Sequence, residues 1–141
     1  MSKKLLVNLP VKNLASSIEF FTQLGFRFNP HFTDETAACI IISDSVFVML
    51  LVDDRFSEFT PKQIADSRQV TEAILTVAVD EKAEVDSLVK LALESGATEY
   101  REPEDHDFMY TWGFQDLDGH LWEVVWMNPD FQPDEHPDVE F

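Results

Sequence analysis

The sequence predicts an α+β fold made of two βαβββ modules. Three observations carry that prediction. Segments with apolar residues at every second position alternate with segments whose apolar residues recur every three or four. The order strand, helix, strand, strand, strand occurs twice. The landmarks of the two copies recur at a nearly constant spacing: Val11 and Val79, ending the first strands, lie 68 residues apart, and Asp44 and Asp118, preceding the last strands, lie 74 apart. Loop lengths absorb the difference. Two copies of one supersecondary unit imply that neither buries its apolar face alone and that the two are paired.

In the first module, Leu5, Val7, Leu9 and Val11 alternate with Leu6, Asn8 and Pro10 over residues 5–11, the pattern of a strand with one face buried. Asn13 can cap a helix over 14–24, in which Leu14, Ile18 and Phe21 fall on one stripe, and Gly25 suits the left-handed position after it. Strands are predicted over 27–32, 37–43 and 47–52, the last two joined by a turn at Ser43-Asp44-Ser45. Residues 54–71, a linker or lid, hold Phe56, Phe59 and a possible helix start at Thr60-Pro61. In the second module, a strand is predicted over 74–79 and a helix over 82–95, with Val85, Leu88, Val89 and Ala92 inward and Gly96 after its end. Strands follow over 98–101, 109–114 and 120–127, with a turn at Asp116-Leu117-Asp118-Gly119. The modules are thus 1–53 and 72–127, and a tail over 128–141, rich in Pro and Asp, reads as extended or frayed.

The chain has 141 residues, 45% hydrophobic and 26% charged, which suits a globular domain with a real core. Ten Lys and Arg against 27 Asp and Glu leave a formal net charge of −17, and so acidic a surface repels phosphate backbones and anionic lipid heads. Neither nucleic acid nor membrane is expected as a partner. Cys39 is the one cysteine and has no internal disulfide partner, and no apolar run reaches the ~20 residues of a membrane span. The apolar stretch after Lys3 and Lys4 is interrupted at Asn8 and Pro10, so no export signal is read and a cytoplasmic location is expected.

The opening Asn8-Leu9-Pro10-Val11, the helix with Ser17-Ile18-Glu19-Phe20-Phe21, Leu24-Gly25-Phe26, and the closing Asp116-Leu117-Asp118-Gly119-His120-Leu121-Trp122-Glu123-Val124 form a recognisable set. The sequence resembles the vicinal oxygen chelate superfamily, which includes glyoxalase I, bleomycin-resistance proteins, fosfomycin-resistance enzymes and extradiol dioxygenases. The likeness covers about residues 4–127, and the closing motif is its most specific part. It implies paired modules forming a curled sheet around a cavity, often completed by dimerisation, so a homodimer is compatible with it. In metal-dependent members, His, Glu or Gln ligands come from the first and last strand of each unit. The matching positions are Leu6, Met49, Ile74 and Glu123, a set with one carboxylate and no imidazole. Shifting register by two brings Asn8 and Glu72 to the same faces, which with Glu123 would suit only a hard ion held weakly. No metal is therefore expected, the alternative being a weakly held divalent ion through Glu123.

The candidate catalytic residue is Glu123, a carboxylate in an apolar strand that could serve as a base or amine anchor, or be satisfied by a hydroxyl or amide such as Thr76 or Asn8. Ala37, Cys39 and Ile41 share a strand face, as do Met109, Thr111 and Gly113. The resemblance places Thr111 and Gly113 on the pocket, which would make Cys39 a cavity thiol and Gly113 room for a ligand. The expected ligand-binding set is Asn8, Cys39, Met49, Thr76, Thr111, Gly113 and Glu123. His31, His106, His120 and His136 fall in predicted loops or the tail, with His106 placed where it could cover a cavity mouth. Tyr110, Trp112 and Phe114 read as core against a helix. The function this supports is capture of a small organic molecule in a metal-free cavity. The alternative is a divalent-metal-dependent lyase, isomerase or dioxygenase.

Overall fold

The computed structural model describes residues 3–131. His136 and most of the expected tail lie outside the described residues. The chain divides into two compact units, Met1–Val70 and Thr71–Phe141. Each holds one open, four-stranded mixed sheet with helices, so the fold is α+β and neither sheet closes into a barrel.

The first unit runs β1 (Leu5–Val11), α1 (Leu14–Gln23), β2 (Arg27–Phe28), β3 (Ala37–Ile41), β4 (Val46–Val52) and α2 (Asp53–Phe56). Its sheet order is β1-β4-β3-β2, with β1 parallel to β4 and the other pairs antiparallel. The Asn13 side chain accepts from Ser16 N–H at 3.0 Å and starts α1. Gly25 ends it at φ 95°, the left-handed region open to glycine. The helix buries Leu14, Ser17, Phe20 and Phe21, whereas the expected Ile18 is half-buried. The apolar face is thus centred on the Phe20–Phe21 pair, whose rings meet edge to face.

Three expectations in this unit are corrected. The strand expected over 27–32 stops at Phe28, because Pro30 removes a ladder donor and Pro30–Phe32 forms a 3-10 turn capped by Asn29. The strand from Ala37 ends at Ile41 rather than 43, since Ile42 and Ser43 both turn their N–H groups to Val46 O. No helix starts at Thr60-Pro61. Helix α2 and a 3-10 turn, Ser57–Phe59, precede it instead, with Lys12 holding Asp53 at 2.5 Å.

The second unit runs β5 (Ile74–Val79), α3 (Lys82–Glu94), β6 (Glu104–Asp105), β7 (Met109–Gln115) and β8 (Leu121–Met127), in the order β5-β8-β7-β6. A reciprocal capping box between Glu81 and Glu84 starts α3, which buries Val85, Val89 and Ala92. The strand expected over 98–101 is replaced by two short pairings: a single bridge from Thr98 to Gln115, then β6 opposite Thr111 and Tyr110. Between them residues 99–103 stand outside the ladder, which resumes at Glu104 directly after Pro103, a residue with no N–H to donate.

Alternation along the strands gives this second sheet two chemically different faces. Tyr110, Trp112, Phe114, Trp122, Val124 and Trp126 share the face toward α3, as Lys82 shows by lying over the rings of both Tyr110 and Trp126. Trp112, Phe114, Trp122 and Val124 are buried there, so the aromatic residues form core as read from the sequence. The opposite face carries Ile74, Thr76, Ala78, Thr111, Gly113, Glu123 and Val125. No helix among the described residues is long and apolar enough to cross a membrane.

Candidate functional site

Glu123 lies in the middle of β8 with strands on both sides, and its side chain is only 7% exposed. Its neighbours in register are Thr76 on β5 and Gly113 on β7. The carboxylate is held by three side-chain donors among the described residues. Arg101 Nη2 donates to Oε1 at 2.7 Å, the Thr111 hydroxyl stands 3.0 Å from the same oxygen, and the Tyr100 hydroxyl donates to Oε2. Burial pushes the Glu123 carboxyl up from its ordinary value. The Arg101 guanidinium at Oε1 opposes that by favouring the charged form.

The donors arrive by different routes. Thr111 is on the neighbouring strand, two residues from Gly113 on the same face. Tyr100 and Arg101 come from the 99–103 segment, which is anchored where Trp112 Nε1 donates to Arg101 O at 3.3 Å. Arg101 also reaches outward, with Nη1 to Glu104 Oε2 at 2.5 Å, and Glu104 Oε1 lies 3.5 Å from His106 Nε2. A chain of polar contacts therefore runs from a buried carboxylate to an exposed histidine. His106 is exposed, stacked on Phe108 with ring centroids 5.6 Å apart.

Gly113 fits this arrangement in a way the sequence reading did not foresee. A Cβ there would stand 2.5 Å from Glu123 Oε2 and 2.9 Å from the Tyr100 hydroxyl, and closer still to the Trp122 carbonyl oxygen. The room that the missing side chain leaves is therefore taken by this chain's own carboxylate and phenol. Likewise, the partners of Glu123 within this unit are Tyr100, Arg101 and Thr111; Thr76, which the sequence offered as one, lies beside it in register but is exposed.

In the first unit, Asn8 and Cys39 both pair with Met49, so those three expected residues share one sheet face. Cys39 is buried, which pushes its thiol up from its ordinary value and disfavours the thiolate. Met49 is half-buried and Asn8 exposed, as are Leu6, Glu72 and Ile74. An open recess of about 530 Å³ on this unit, between Gly25–Arg27 and Ile41–Asp44, includes none of the expected site residues. Asp116, the first residue of the closing turn, is structural. Its Oδ1 accepts from the N–H groups of Asp118 and His120 at 3.0 Å each, and its Oδ2 accepts from Trp122 Nε1 at 3.0 Å.

Tyr100 and Arg101 are the residues that sequence reasoning missed. Placed in a regular strand they would have alternated across the sheet, and only the Glu102-Pro103 dipeptide signals that the ladder breaks there.

The fold agrees with known proteins. Residues 5–124 match the family model described as the Glyoxalase/Bleomycin resistance protein/Dioxygenase superfamily. The chain belongs to this superfamily. A hypothetical protein, SA1046, from S. aureus shares 27% identity at a TM-score of 0.75, covering 89% of this chain and 95% of that one. A glyoxalase-related enzyme from Fulvimarina pelagi superposes at a TM-score of 0.77 with 19% identity, covering 100% of this chain and 99% of its own. A glyoxalase/bleomycin resistance protein/dioxygenase family enzyme from Burkholderia phytofirmans PsJN gives 0.73 at 16% identity, covering 90% and 100%. The last two likenesses speak to the fold alone. A search of curated proteins finds no match.

Proposed function

We propose that this superfamily member captures a small organic molecule on the Glu123 face of its second sheet, without a metal ion. The observation that carries the reading is the state of the Glu123 carboxylate: a guanidinium already sits 2.7 Å from one oxygen, and hydroxyls from Tyr100 and Thr111 engage the pair. The superfamily includes metal-dependent members, and the side chains present here do not fit a divalent ion. The other matching positions are Leu6, Met49 and Ile74, and among the described residues no three His, Cys, Asp or Glu side chains come together. A binding site needs apolar walls with a few converging polar groups. Ile74, Ala78 and Val125 supply the first on this face, and Thr76, Thr111, Glu123, Tyr100 and Arg101 the second.

The test is a screen of organic compounds by shift in melting temperature, run on the wild type and on Glu123→Gln. A ligand at 100 times its Kd adds about 2.7 kcal/mol to stability, an easily read shift. The reading expects ligands whose shift is lost in Glu123→Gln. Shifts that survive the substitution would remove Glu123 from the site, and a screen with no shifts would remove the function.

A further inference from the structure

We infer that Tyr100 and Arg101 act as a built-in stand-in for the ligand, and that the ligand is an organic cation carrying an amidinium or guanidinium group on an apolar body. This rests on the Glu123 face being a binding site and goes on to name what it takes and what must move.

Both donors come from one short segment, residues 99–103, which pairs with the sheet before it at Thr98 and after it at Glu104 but not along its own length. Its two side chains cover the two oxygens of one carboxylate, Arg101 on Oε1 and Tyr100 on Oε2. A planar fork with two parallel N–H donors reproduces both contacts with one group, which a compact ammonium does less well. Displaced, Arg101 is not left without a partner, because Nη1 already holds Glu104 at 2.5 Å and its side chain is 43% exposed. Withdrawal of the Tyr100 hydroxyl frees the space over Gly113 that it borders now. The exchange therefore trades one cation on Glu123 for another and leaves no buried charge unpaired.

Charge selects the class. The segment and its continuation carry Glu99, Glu102, Glu104, Asp105 and Asp107 against Arg101, on a chain of net charge −17. An anion is repelled from such a site and a cation is drawn to it. The apolar body would lie along Ile74 and Ala78, exposed on the same face as Glu123.

Calorimetric titration of the full chain with benzamidine tests this, with benzoate as the anionic control, on the wild type, Arg101→Ala, Tyr100→Phe and Glu123→Gln, each checked for folding by circular dichroism. Removing an internal competitor tightens binding, so Arg101→Ala should bind benzamidine about tenfold more tightly than wild type. Tyr100→Phe should bind it several-fold more tightly, and it keeps the test open should Arg101→Ala not fold. Glu123→Gln should bind neither compound, and benzoate should not bind the wild type. Unchanged or weaker benzamidine binding in Arg101→Ala and Tyr100→Phe overturns the inference, as does its failure to bind at all. If benzamidine fails while a neutral compound binds in a Glu123-dependent way, the stand-in idea falls and the binding site stands. If nothing binds, both fall.

Discussion

Gly113→Ala separates a filled site from an empty one. Gly113 does not have a positive φ, so its backbone accepts alanine, and on conformational grounds alone the substitution would stabilise by about 0.4–1 kcal/mol through the unfolded chain. The contacts decide otherwise. The new methyl carbon would stand 2.5 Å from Glu123 Oε2 and 2.9 Å from the Tyr100 hydroxyl, with the Trp122 carbonyl oxygen nearer still. Carbon and oxygen normally approach to about 3.3–3.6 Å, so each neighbour must give way. Tyr100 can swing, since its segment lies outside the strand ladder, but the Trp122 carbonyl belongs to the backbone of β8, a central strand. Overpacking of this kind costs about 1–3 kcal/mol, and the rigid backbone contact puts the expectation at the upper end. With a urea dependence of ~2 kcal/mol/M, the unfolding midpoint should fall by roughly 1 M or more. Adding Tyr100→Ala should recover part of the loss and not all of it, because the carbonyl contact remains. An unchanged or higher midpoint in Gly113→Ala would show that the space above Gly113 is open and refute the packing described for Glu123.

Three further outcomes follow from the same geometry. Asp116→Ala removes the carboxylate that accepts from the Trp122 indole N–H and from the N–H groups of Asp118 and His120, and loss of the buried bond to the indole alone costs about 1–3 kcal/mol; a loss under ~1 kcal/mol in urea unfolding would contradict the structural role. Burial and the hydrogen bond to Asp86 push the Tyr110 phenol from 10.0 up to about 12, so its contribution to stability is complete below 10.0 and is lost as pH rises toward 12. In Asp86→Asn, ultraviolet titration should show the Tyr110 ionisation moving down toward 10.0, and an unmoved titration would contradict the contact. Asn13→Ala should cost about 1 kcal/mol through loss of the α1 cap, with no measurable change in thermal stability as the refuting result.

Much of the fold was legible because both modules follow period and punctuation faithfully. The spacing of 74 set Met49 and Glu123 at equivalent places, and the structure pairs Met49 with Asn8 on β1 as it pairs Glu123 with Thr76 on β5. Cys39 faces Met49 as Gly113 faces Glu123, so the strand registers of the two units also correspond. Prolines account for the main departures. Pro30 ends β2 early, and Pro103 closes the segment that leaves the ladder after Thr98. That second break hid the chemistry. Alternation assigns side chains to faces only while a segment stays in the ladder, and Tyr100 and Arg101 reach Glu123 because theirs does not. Glu123 itself was visible as an isolated carboxylate in an apolar strand. Its partners depend on a tertiary approach from 22 and 23 residues away, which no local pattern encodes.

In the proposed function Glu123 is engaged by side chains of its own chain and by no metal ion. The most direct test is elemental analysis of untagged protein purified without chelators and dialysed against Mg, Mn, Ni, Zn and Fe(II). No near-stoichiometric retention of any of them is expected, in the wild type or in Arg101→Ala. Near-stoichiometric retention by the wild type that disappears in Glu123→Ala would contradict the proposed function and favour a metal-dependent lyase, isomerase or dioxygenase.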